Sequence, residues 1–525
     1  MASVGEAFCE VLLKHRVGAV FGNPGSNELP FLRHLPDELP YYLALQEGAA
    51  IAMADGYAQA SGTVGFVNLH AASGTGNAMG CLTNTASSHT PLLITAGQQS
   101  RRYHPVNALL TNVDATKLCD PLVKWSGEPL RPEDAPLLAS KALLLAQSAP
   151  AGPVYLSVPL DDWDRPADAA TQRQLLDRSV HGHPVAPDSA LEPLVQALAE
   201  ASAPVLVLGP GVDTPIGYPA AIAFAQRSRL PVWNAPSAPR APFPTTHPYY
   251  RGQLASAAGD LAKALDGHDL ILVFGAPLFR YHAPSKDDFL PAGVAVHGVT
   301  DDPDEAARAP FGHVVIGDPA AALARLVATV PVSTRPRPEA QALPVADTSG
   351  PAFTAEAIAD AIDRGKTDDA VISFEWTSGT GSIDRLMTTH PQSRFFPAAG
   401  GLGWGMPAAI GLRLARPDRP VLALIGDGAM QYTTSALWTA ARYRVPVTFI
   451  VANNRRYGAL SGFSRLLGVP EGSYLDVPDV DIVKIAEGYG VAAQRVESLD
   501  ELTQLVKVGM SATEPRLIEV PQREA

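Results

Sequence analysis

The alternation of short apolar runs with helical patterns constrains the fold of this chain more than any other feature of its sequence. In the first third, apolar runs occupy residues 17–22, 63–70, 91–97 and 153–159, and segments with helical spacing lie between them. Parallel strands need a crossover connection, usually a helix. The alternation therefore predicts doubly wound α/β structure with mainly parallel sheets.

Two linker-like stretches divide the chain. Residues 331–351 are rich in proline and lack a large apolar cluster, and residues 162–190 are polar with weak periodicity. Apolar runs recur in each later block, at 204–209, 269–275, 294–299, 313–317, 370–374, 421–428, 447–454 and 516–520. We predict three doubly wound, mainly parallel-sheet domains: 1–180, 181–340 and 341–525.

Composition excludes several classes of partner. The net charge of −13 argues against a nucleic-acid backbone or an anionic membrane. Charged residues make up only 18% of the chain, against about 25% in soluble domains, so we expect partner chains to cover part of the surface. Three scattered cysteines, no signal peptide and no run of about 18 apolar residues predict a soluble, cytoplasmic protein.

Polar side chains follow two neighbouring strands of the last block. The run VLALIGDG ends at Asp427-Gly428, and the run VTFIVANN ends at Asn453-Asn454. Ligands bind beyond the carboxyl ends of parallel strands, where a helix N-terminus attracts phosphate. One carboxylate and one amide oxygen beside a phosphate suit Mg²⁺, which completes its octahedron with phosphate and water. The segment thus predicts a magnesium and diphosphate site.

Glu47 begins a segment rich in Ala and Gly, ALQEGAAIAMADGYAQASG. One interpretation is a Glu that stabilises a helix N-terminus. The other is a carboxyl group in a tightly packed, partly dry setting, where it can share a proton with a ring nitrogen. In the middle block, Gly209-Pro-Gly211 resembles a dinucleotide fingerprint, but Thr214 stands at its third glycine, so a plain strand-to-helix turn is favoured.

With Glu47 beside the magnesium segment, the whole chain resembles the pyruvate-decarboxylase-like superfamily of thiamine-diphosphate enzymes, and within it the benzoylformate decarboxylases. The most specific matching strings are FGNPGSNELPFL (21–32), ALQE (44–47), LLTNVDA (109–115), GAPLFRYH (275–282) and AAGGLG (398–403). The resemblance implies non-oxidative decarboxylation of an aryl 2-oxo acid, with carboligation as a side activity. It also implies thiamine diphosphate and Mg²⁺ as cofactors, with Ca²⁺ as a substitute for Mg²⁺. The expected assembly is at least a homodimer and, by resemblance, a homotetramer.

The resemblance assigns roles to residues of this chain. Glu47 would contact N1′ of the aminopyrimidine, from a different subunit than the one that binds the diphosphate. The remaining cofactor residues would be Thr377, Ser378, Gly400, Leu402, Asp427, Gly428, Ala429 and Tyr457. The metal would be bound by Asp427, Asn454 and the backbone carbonyl of Arg456.

Substrate contacts follow from the same resemblance. Ser26 would bind the substrate carboxylate, although alone it reads equally well as a turn or N-cap serine. His70 and His282 would donate and accept protons, although a single such histidine is more often a packing or surface residue. An apolar pocket for the aryl group would be lined by Leu109, Leu110, Phe396, Ala459, Leu460 and Phe463. We assign no role to the other histidines, including His89 and His104.

Some positions depart from the family pattern, and two other functions stay open. Arg455 and Arg456 bring charge near the metal, Ala429 lacks a hydroxyl group, and bulky Trp376 and Trp404 adjoin cofactor loops. One alternative is a different thiamine-diphosphate-dependent decarboxylase or aldehyde carboligase. The other is a non-catalytic structural or regulatory homologue, against which the joint presence of Glu47, Asp427 and Asn454 argues.

Overall fold

A computed structural model describes residues 2–180, 182, 184–277, 282, 287–309, 312–340 and 353–523. Within these residues the strands form three six-stranded sheets, and every neighbouring strand pair is parallel. The three doubly wound parallel sheets confirm the predicted fold class. No helix among the described residues is long and apolar enough to cross a membrane.

The N-terminal sheet has the strand order β2-β1-β3-β4-β6-β5. Its strands are β1 (Val20–Asn23), β2 (Tyr41–Leu43), β3 (Gly65–Leu69), β4 (Leu92–Gln98), β5 (Trp125–Gly127) and β6 (Val154–Pro159). Its helices are α1 (Val4–Lys14), α2 (Leu29–Leu32), α3 (Glu47–Ser61), α4 (Ala71–Ser87), α5 (Ala135–Gln147) and α6 (Ala169–Asp177). The central strands are buried on both faces, as a parallel sheet covered by helices requires.

The middle sheet has the order β12-β11-β10-β7-β8-β9. Its strands are β7 (Pro204–Leu208), β8 (Val232–Asn234), β9 (Tyr250–Gln253), β10 (Leu270–Phe274), β11 (Ala295–Thr300) and β12 (His313–Ile316). Its helices are α7 (Asp188–Glu200), α8 (Gly217–Ser228), α9 (Ala258–Ala264), α10 (Pro303–Arg308) and α11 (Pro319–Thr329). The strand order reverses between β7 and β10, which makes a crevice at their carboxyl ends.

The C-terminal sheet has the order β14-β13-β15-β16-β18-β17. Its strands are β13 (Val371–Glu375), β14 (Arg394–Phe395), β15 (Val421–Gly426), β16 (Val447–Asn453), β17 (Ala492–Arg495) and β18 (Arg516–Pro521). Its helices are α12 (Ala355–Gly365), α13 (Gly405–Ala415), α14 (Asp427–Met430), α15 (Ala436–Arg442), α16 (Gly458–Leu467), α17 (Ile482–Gly488) and α18 (Leu499–Met510). Adjacent β15 and β16 carry the two polar segments, as predicted.

A buried carboxylate joins the N-terminal and C-terminal layers. Helix α3 packs along α13, and Asp55 of α3 accepts hydrogen bonds from Trp404 Nε1 at 3.0 Å and Thr85 Oγ1 at 2.9 Å. Burial raises the pKa of Asp55, while bonds from Gln59, Trp404 and Thr85 lower it in part. Trp404 is therefore a core residue that links α13 to α3.

The structure differs from the local sequence signal at two places. The glycine-rich segment AASGTG after His70 has a composition that predicts a loop, but it forms the first turns of α4. At Gly74 an added Cβ would lie 3.1 Å from Glu47 Oε1, so the absence of a side chain lets α4 and this carboxylate approach closely. The stretch 162–190, predicted as a linker-like boundary from its weak periodicity, contains α6, whose N-cap is Asp168. The Gly209-Pro-Gly211 segment is a short 3-10 turn after β7, as favoured.

Candidate active site

One half of the site lies where β1 and β3 end. Helix α3 begins at Glu47, and the Glu47 carboxylate is buried. It accepts hydrogen bonds from Asn23 Nδ2 on Oε1 and from Asn77 Nδ2 on Oε2, each at 3.1 Å. Both oxygens are therefore fixed by amide donors. The sequence predicted the helix start and the dry setting correctly, and the two asparagines were not foreseen.

Glu28 is a buried carboxylate that the sequence analysis missed. Its Oε2 lies 2.8 Å from His70 Nδ1 and accepts the N–H of Gly25 at 2.8 Å, and its Oε1 accepts the N–H of Gly97 at 2.9 Å. Glu28 thus connects the turn that carries Ser26, the end of β4 and the His70 ring. Because Glu28 contacts Nδ1 of His70, the other ring nitrogen, Nε2, points away from this carboxylate.

Ser26 and His70 are neighbours across this turn. Ser26 is exposed, and its Oγ lies 3.4 Å from Asn27 Oδ1. The ring of His70 packs against Gly25, the residue before Ser26. A Cβ added to Gly25 would lie 2.1 Å from His70 Nδ1. His70 is partly exposed. The structure therefore brings Ser26, Glu47 and His70 to one end of the N-terminal sheet.

The other half lies at the carboxyl end of the C-terminal sheet. Asp427 begins α14 after β15 and is buried, and its Oδ2 has no hydrogen-bond partner in the described chain. Burial raises the pKa of the Asp427 carboxyl to about 6, and the N–H groups of Gly428 and Arg455 lower it in part. An orphaned, buried carboxylate oxygen is costly unless a cation or donor reaches it. This donor set fits a hard divalent cation.

Asn454 and Arg456 lie in the loop after β16, and this loop is beside Asp427. Asn454 Oδ1 accepts the N–H of Arg456 at 3.2 Å, and the Arg456 carbonyl accepts the N–H of Gly458 at 2.9 Å. A carbonyl oxygen has a second lone pair, so this bond leaves room for a cation. The Arg456 guanidinium donates to Glu471 at 2.6 Å, which offsets the charge that Arg456 brings to the site. Arg455 is exposed and takes a left-handed backbone conformation.

Ser378, Gly428 and Tyr457 surround the same point. A Cβ added to Gly428 would lie 2.7 Å from the Tyr457 ring, and one added to Gly458 would lie 3.2 Å from Ser378 Cβ and 2.5 Å from Asn454 Nδ2. Thr377 begins a 3-10 helix after β13 and is exposed, and Ala429 is buried. Trp376 is buried and donates to Gln522 at 2.8 Å, so it forms part of the core.

Glu375 is a second buried carboxylate that the sequence analysis missed. It accepts the N–H groups of Gly403 and Gly405, each at 2.7 Å, and of Trp404 at 3.3 Å. It thereby fixes the end of the loop that carries Gly400 and Leu402. Gly400 has φ of 72° and is exposed, and Leu402 packs against the core.

Glu375 gives a pH-dependent prediction. Burial raises its pKa to about 7, and the bonds from Gly405, Gly403 and Trp404 lower it in part. The folded pKa lies above the unfolded value, so the folded state binds the extra proton between about pH 4.5 and pH 7. The free energy of unfolding should fall across this window by about 3 kcal/mol from this group. Glu375→Gln should lack that component. Tm measured from pH 5 to 8 for both proteins checks this, and parallel curves would contradict it.

The residues predicted to line an aryl pocket are exposed or partly exposed within one chain. Leu109 is 85% exposed and Leu460 is 47% exposed, and Leu110, Ala459 and Phe463 are partly exposed. Phe396 packs against the C-terminal core, 6.0 Å from the ring of Phe374. Phe396 is only partly buried, so one side of its ring packs on this core and the remainder stays accessible.

His282 lies beside helix α16 of the C-terminal part of the structure. Its backbone N–H donates to the Ser256 carbonyl at 2.8 Å, and its ring lies 4.8 Å from the ring of Phe463. His282 is exposed. It is therefore associated with α16 and the second half of the site. His104 lies 2.5 Å from the Gln99 carbonyl through Nε2, which indicates a structural role in its loop.

Comparisons with known proteins agree with this geometry. Three family models match, described as the N-terminal TPP binding domain (residues 2–118), the central domain (191–326) and the C-terminal TPP binding domain (379–520) of thiamine pyrophosphate enzymes. Benzoylformate decarboxylase of Pseudomonas aeruginosa is 49% identical over 99% of both chains.

Solved structures lead to the same group. The thiamine diphosphate-dependent 4-hydroxybenzoylformate decarboxylase of Rhodococcus jostii RHA1 is 45% identical, with a TM-score of 0.97 over 100% of both chains. Benzoylformate decarboxylase from Polynucleobacter necessarius is 35% identical, with a TM-score of 0.95 over 99% of both chains. The chain therefore belongs to the thiamine pyrophosphate enzymes and, within them, to the benzoylformate decarboxylase family.

Proposed function

We propose that this protein decarboxylates an aryl 2-oxo acid, benzoylformate or a ring-substituted analogue, to the aldehyde and CO₂ without oxidation. The observation that carries the proposal is the presence of both half-sites in one family member: a clamped Glu47 with Ser26 and His70, and an orphaned Asp427 oxygen beside Asn454. The similarity to two benzoylformate decarboxylases and a 4-hydroxybenzoylformate decarboxylase supports the substrate class.

The C-terminal half would hold the diphosphate through the metal. Asp427, Asn454 and the Arg456 carbonyl supply oxygen ligands, and Thr377, Ser378, Gly428, Ala429 and Tyr457 surround the phosphate position. Thiamine diphosphate, when bound, supplies an electron sink for the carbanion that decarboxylation leaves. The chain's own task is to bind and orient the group, to exclude water and to move protons.

Glu47 would handle the proton of the aminopyrimidine ring. Its carboxylate is buried, and Asn23 and Asn77 fix both oxygens, so a proton shared with a ring nitrogen would be held at one position. Gly400 and Leu402 would support the cofactor from the opposite half. The fixed geometry of both loops, through Glu28 and Glu375, fits preorganised catalysis.

Ser26 and His70 would act on the substrate. The exposed Ser26 hydroxyl can donate to the substrate carboxylate, and His70 Nε2 can pass a proton while Glu28 holds Nδ1. His282, from the side of Phe463, would serve the second proton transfer. Leu109, Leu110, Ala459 and Leu460 would cover the aryl ring, and Phe396 would support this wall from the core.

We also propose that the active unit is at least a homodimer and that two such dimers assemble into a homotetramer. Within the described residues, Glu47 bonds to its own sheet, whereas the metal residues lie at the end of another sheet. Large apolar side chains are exposed near both half-sites, among them Leu109, Val113, Leu460, Leu466 and Leu467. Such exposure fits a surface covered by another copy. We propose a cytoplasmic location and domain boundaries near 180 and 340.

A panel of 2-oxo acids tests the proposed function. The protein, saturated with thiamine diphosphate and Mg²⁺, is assayed for CO₂ release from benzoylformate, 4-hydroxybenzoylformate, pyruvate and indolepyruvate. We expect the two aryl acids to give the highest kcat/KM. A clear preference for pyruvate or indolepyruvate would favour the alternative decarboxylase. No CO₂ from any acid, with the cofactor bound, would favour a non-catalytic homologue.

Two substitutions separate binding from proton transfer. Ser26→Ala should raise KM about tenfold or more, because the carboxylate loses a hydroxyl donor whose bond is worth about 1.5–3 kcal/mol. His70→Ala should mainly lower kcat, by about 10²- to 10⁴-fold, because general acid–base catalysis is lost. Steady-state kinetics with benzoylformate gives both values. Unaltered kinetics of Ser26→Ala would rule out carboxylate binding by this hydroxyl group.

A further inference from the structure

A crevice lies at the carboxyl ends of the middle sheet, away from both half-sites. It has a volume of about 380 Å³ and opens where β7, β10 and β11 end, at the point where the strand order reverses. Open α/β sheets bind ligands at this position. The lining includes Asp301, Asp302, Glu305 and Asp318. This excess of carboxylates repels phosphate groups and favours a cation.

Three side chains converge on one point of the crevice wall. His89, from the loop between α4 and β4, places Nε2 3.5 Å from Asp302 Oδ2 and 3.8 Å from Glu305 Oε1. All three atoms lie within 4.8 Å of one another. These separations are long for direct hydrogen bonds. The two distances from His89 Nε2 are close to the spacing of about 3.3 Å between ligand atoms around a tetrahedral zinc ion with bonds of about 2.0 Å.

A second contact holds each of these side chains in place. His89 Nδ1 lies 3.3 Å from the Ala151 carbonyl, so a proton on Nδ1 leaves Nε2 with a free lone pair. Asp302 Oδ1 accepts the N–H groups of residues 304 and 305, the first at 2.8 Å, and Glu305 Oε2 accepts from Thr300 Oγ1 at 3.2 Å. One atom of each group is fixed, and the other faces the common point. Partners of this kind orient the ligands in metal sites.

Burial and exposure also suit an ion that enters from the crevice. The Asp302 side chain is 7% exposed and that of Glu305 is 10% exposed, whereas that of His89 is 41% exposed. The basic residue Arg240, also on the lining, is paired with Asp213 at 3.2 Å. Its charge is therefore engaged at a different carboxylate.

We propose that His89, Asp302 and Glu305 form a binding site for a divalent transition-metal ion of the zinc type, with water in the open position facing the crevice. One nitrogen and two carboxylate oxygens are ligands that zinc accepts. Because His89 comes from the N-terminal sheet and the carboxylates from the middle sheet, the ion would join these two layers. The site is separate from the magnesium site in residues and in chemistry.

Zinc binding to the holoenzyme tests the proposal. Protein saturated with thiamine diphosphate and Mg²⁺ is dialysed against ZnCl₂, and bound zinc per chain is measured for the wild type, His89→Gln, Glu305→Gln and the control Asp304→Asn. Asp304 lies on the same helix and is exposed, but it is not part of the cluster. We expect His89→Gln and Glu305→Gln each to bind one zinc ion fewer than the wild type and the control.

Thermal unfolding gives a second readout. Zinc at about 100 times its dissociation constant should raise the Tm of the wild type and of Asp304→Asn, since a ligand of the folded state stabilises it by about 2.7 kcal/mol at that concentration. The shift should disappear in His89→Gln and Glu305→Gln. Equal zinc content and equal Tm shifts in all four proteins would overturn the proposal. Benzoylformate turnover is not part of this test, so failure of the proposed function would not affect it.

Discussion

Glu47→Gln should lower kcat for benzoylformate by about 10²- to 10⁴-fold, the range that a positioned acid–base group contributes. The glutamine has nearly the same shape, but it cannot take up or release a proton. Its amide NH₂ would also face the NH₂ donor of Asn23 or Asn77, because each carboxylate oxygen now accepts one amide N–H. Steady-state kinetics with saturating cofactor measures the effect.

A control separates proton transfer from local packing. Asn77→Ala keeps the carboxylate and removes one of its two donors, so we expect a smaller fall in kcat than for Glu47→Gln. The Tm of Glu47→Gln should fall only modestly, since the side-chain volume is kept and one buried amide contact is lost. Activity of Glu47→Gln within a few-fold of the parent would exclude a proton-transfer role for this residue.

Asp427→Asn should abolish the Tm increase that thiamine diphosphate and Mg²⁺ together produce in the wild type. The carboxylate is buried with an orphaned Oδ2, and the substitution removes the negative charge that would bind the cation. Without cofactor, the variant should be as stable as the wild type or more stable, because burial raises the pKa of Asp427 to about 6 and an ionised group is costly there. Thermal unfolding with and without cofactor measures both effects.

The matched control for this prediction is Asp476→Asn. Asp476 is exposed, and its backbone pairs with Arg456, so it lies on the same loop system without facing the metal position. We expect this variant to keep the cofactor-dependent Tm increase. An Asp427→Asn protein that gains as much stability from the cofactor as the control would exclude Asp427 as a metal ligand.

The sequence predicted the central strands well and the edge strands poorly. The central strands are continuous apolar runs, because helices cover both faces of a parallel sheet. The missed strands are mostly short edge strands, such as β2, β5 and β14, which have two or three residues and mixed polarity. Such a strand depends on its neighbour for pairing, and its own sequence carries little signal.

Site residues were predictable where a motif follows a strand. They were missed where their hydrogen-bond partners lie far away in the sequence. Asp427 and Asn454 follow predicted strands, so their proximity followed from the topology. Glu28 and Glu375 were missed because their partners, Gly97 and Gly403, lie far along the chain. The acidic Glu28 within GNPGSNE was a usable signal, since a carboxylate in a tight turn often binds backbone N–H groups.

Phe396 illustrates a different limit. Its apolar character fits both a pocket wall and a core, and only the contact with Phe374 shows its packing in the core. The segment after His70 was also misjudged from composition. Its glycines favour a loop, but the segment is helical, and Gly74 provides the close approach of Glu47 to α4.

The most direct test of a diphosphate held through a divalent ion at the end of the C-terminal sheet is an anomalous diffraction measurement. Crystals grown with thiamine diphosphate and Mn²⁺ in place of Mg²⁺ should show an anomalous peak about 2.2 Å from Asp427 Oδ2 and Asn454 Oδ1, beside density for the diphosphate. A cofactor bound elsewhere, or no manganese peak between these two side chains, would contradict the proposed site.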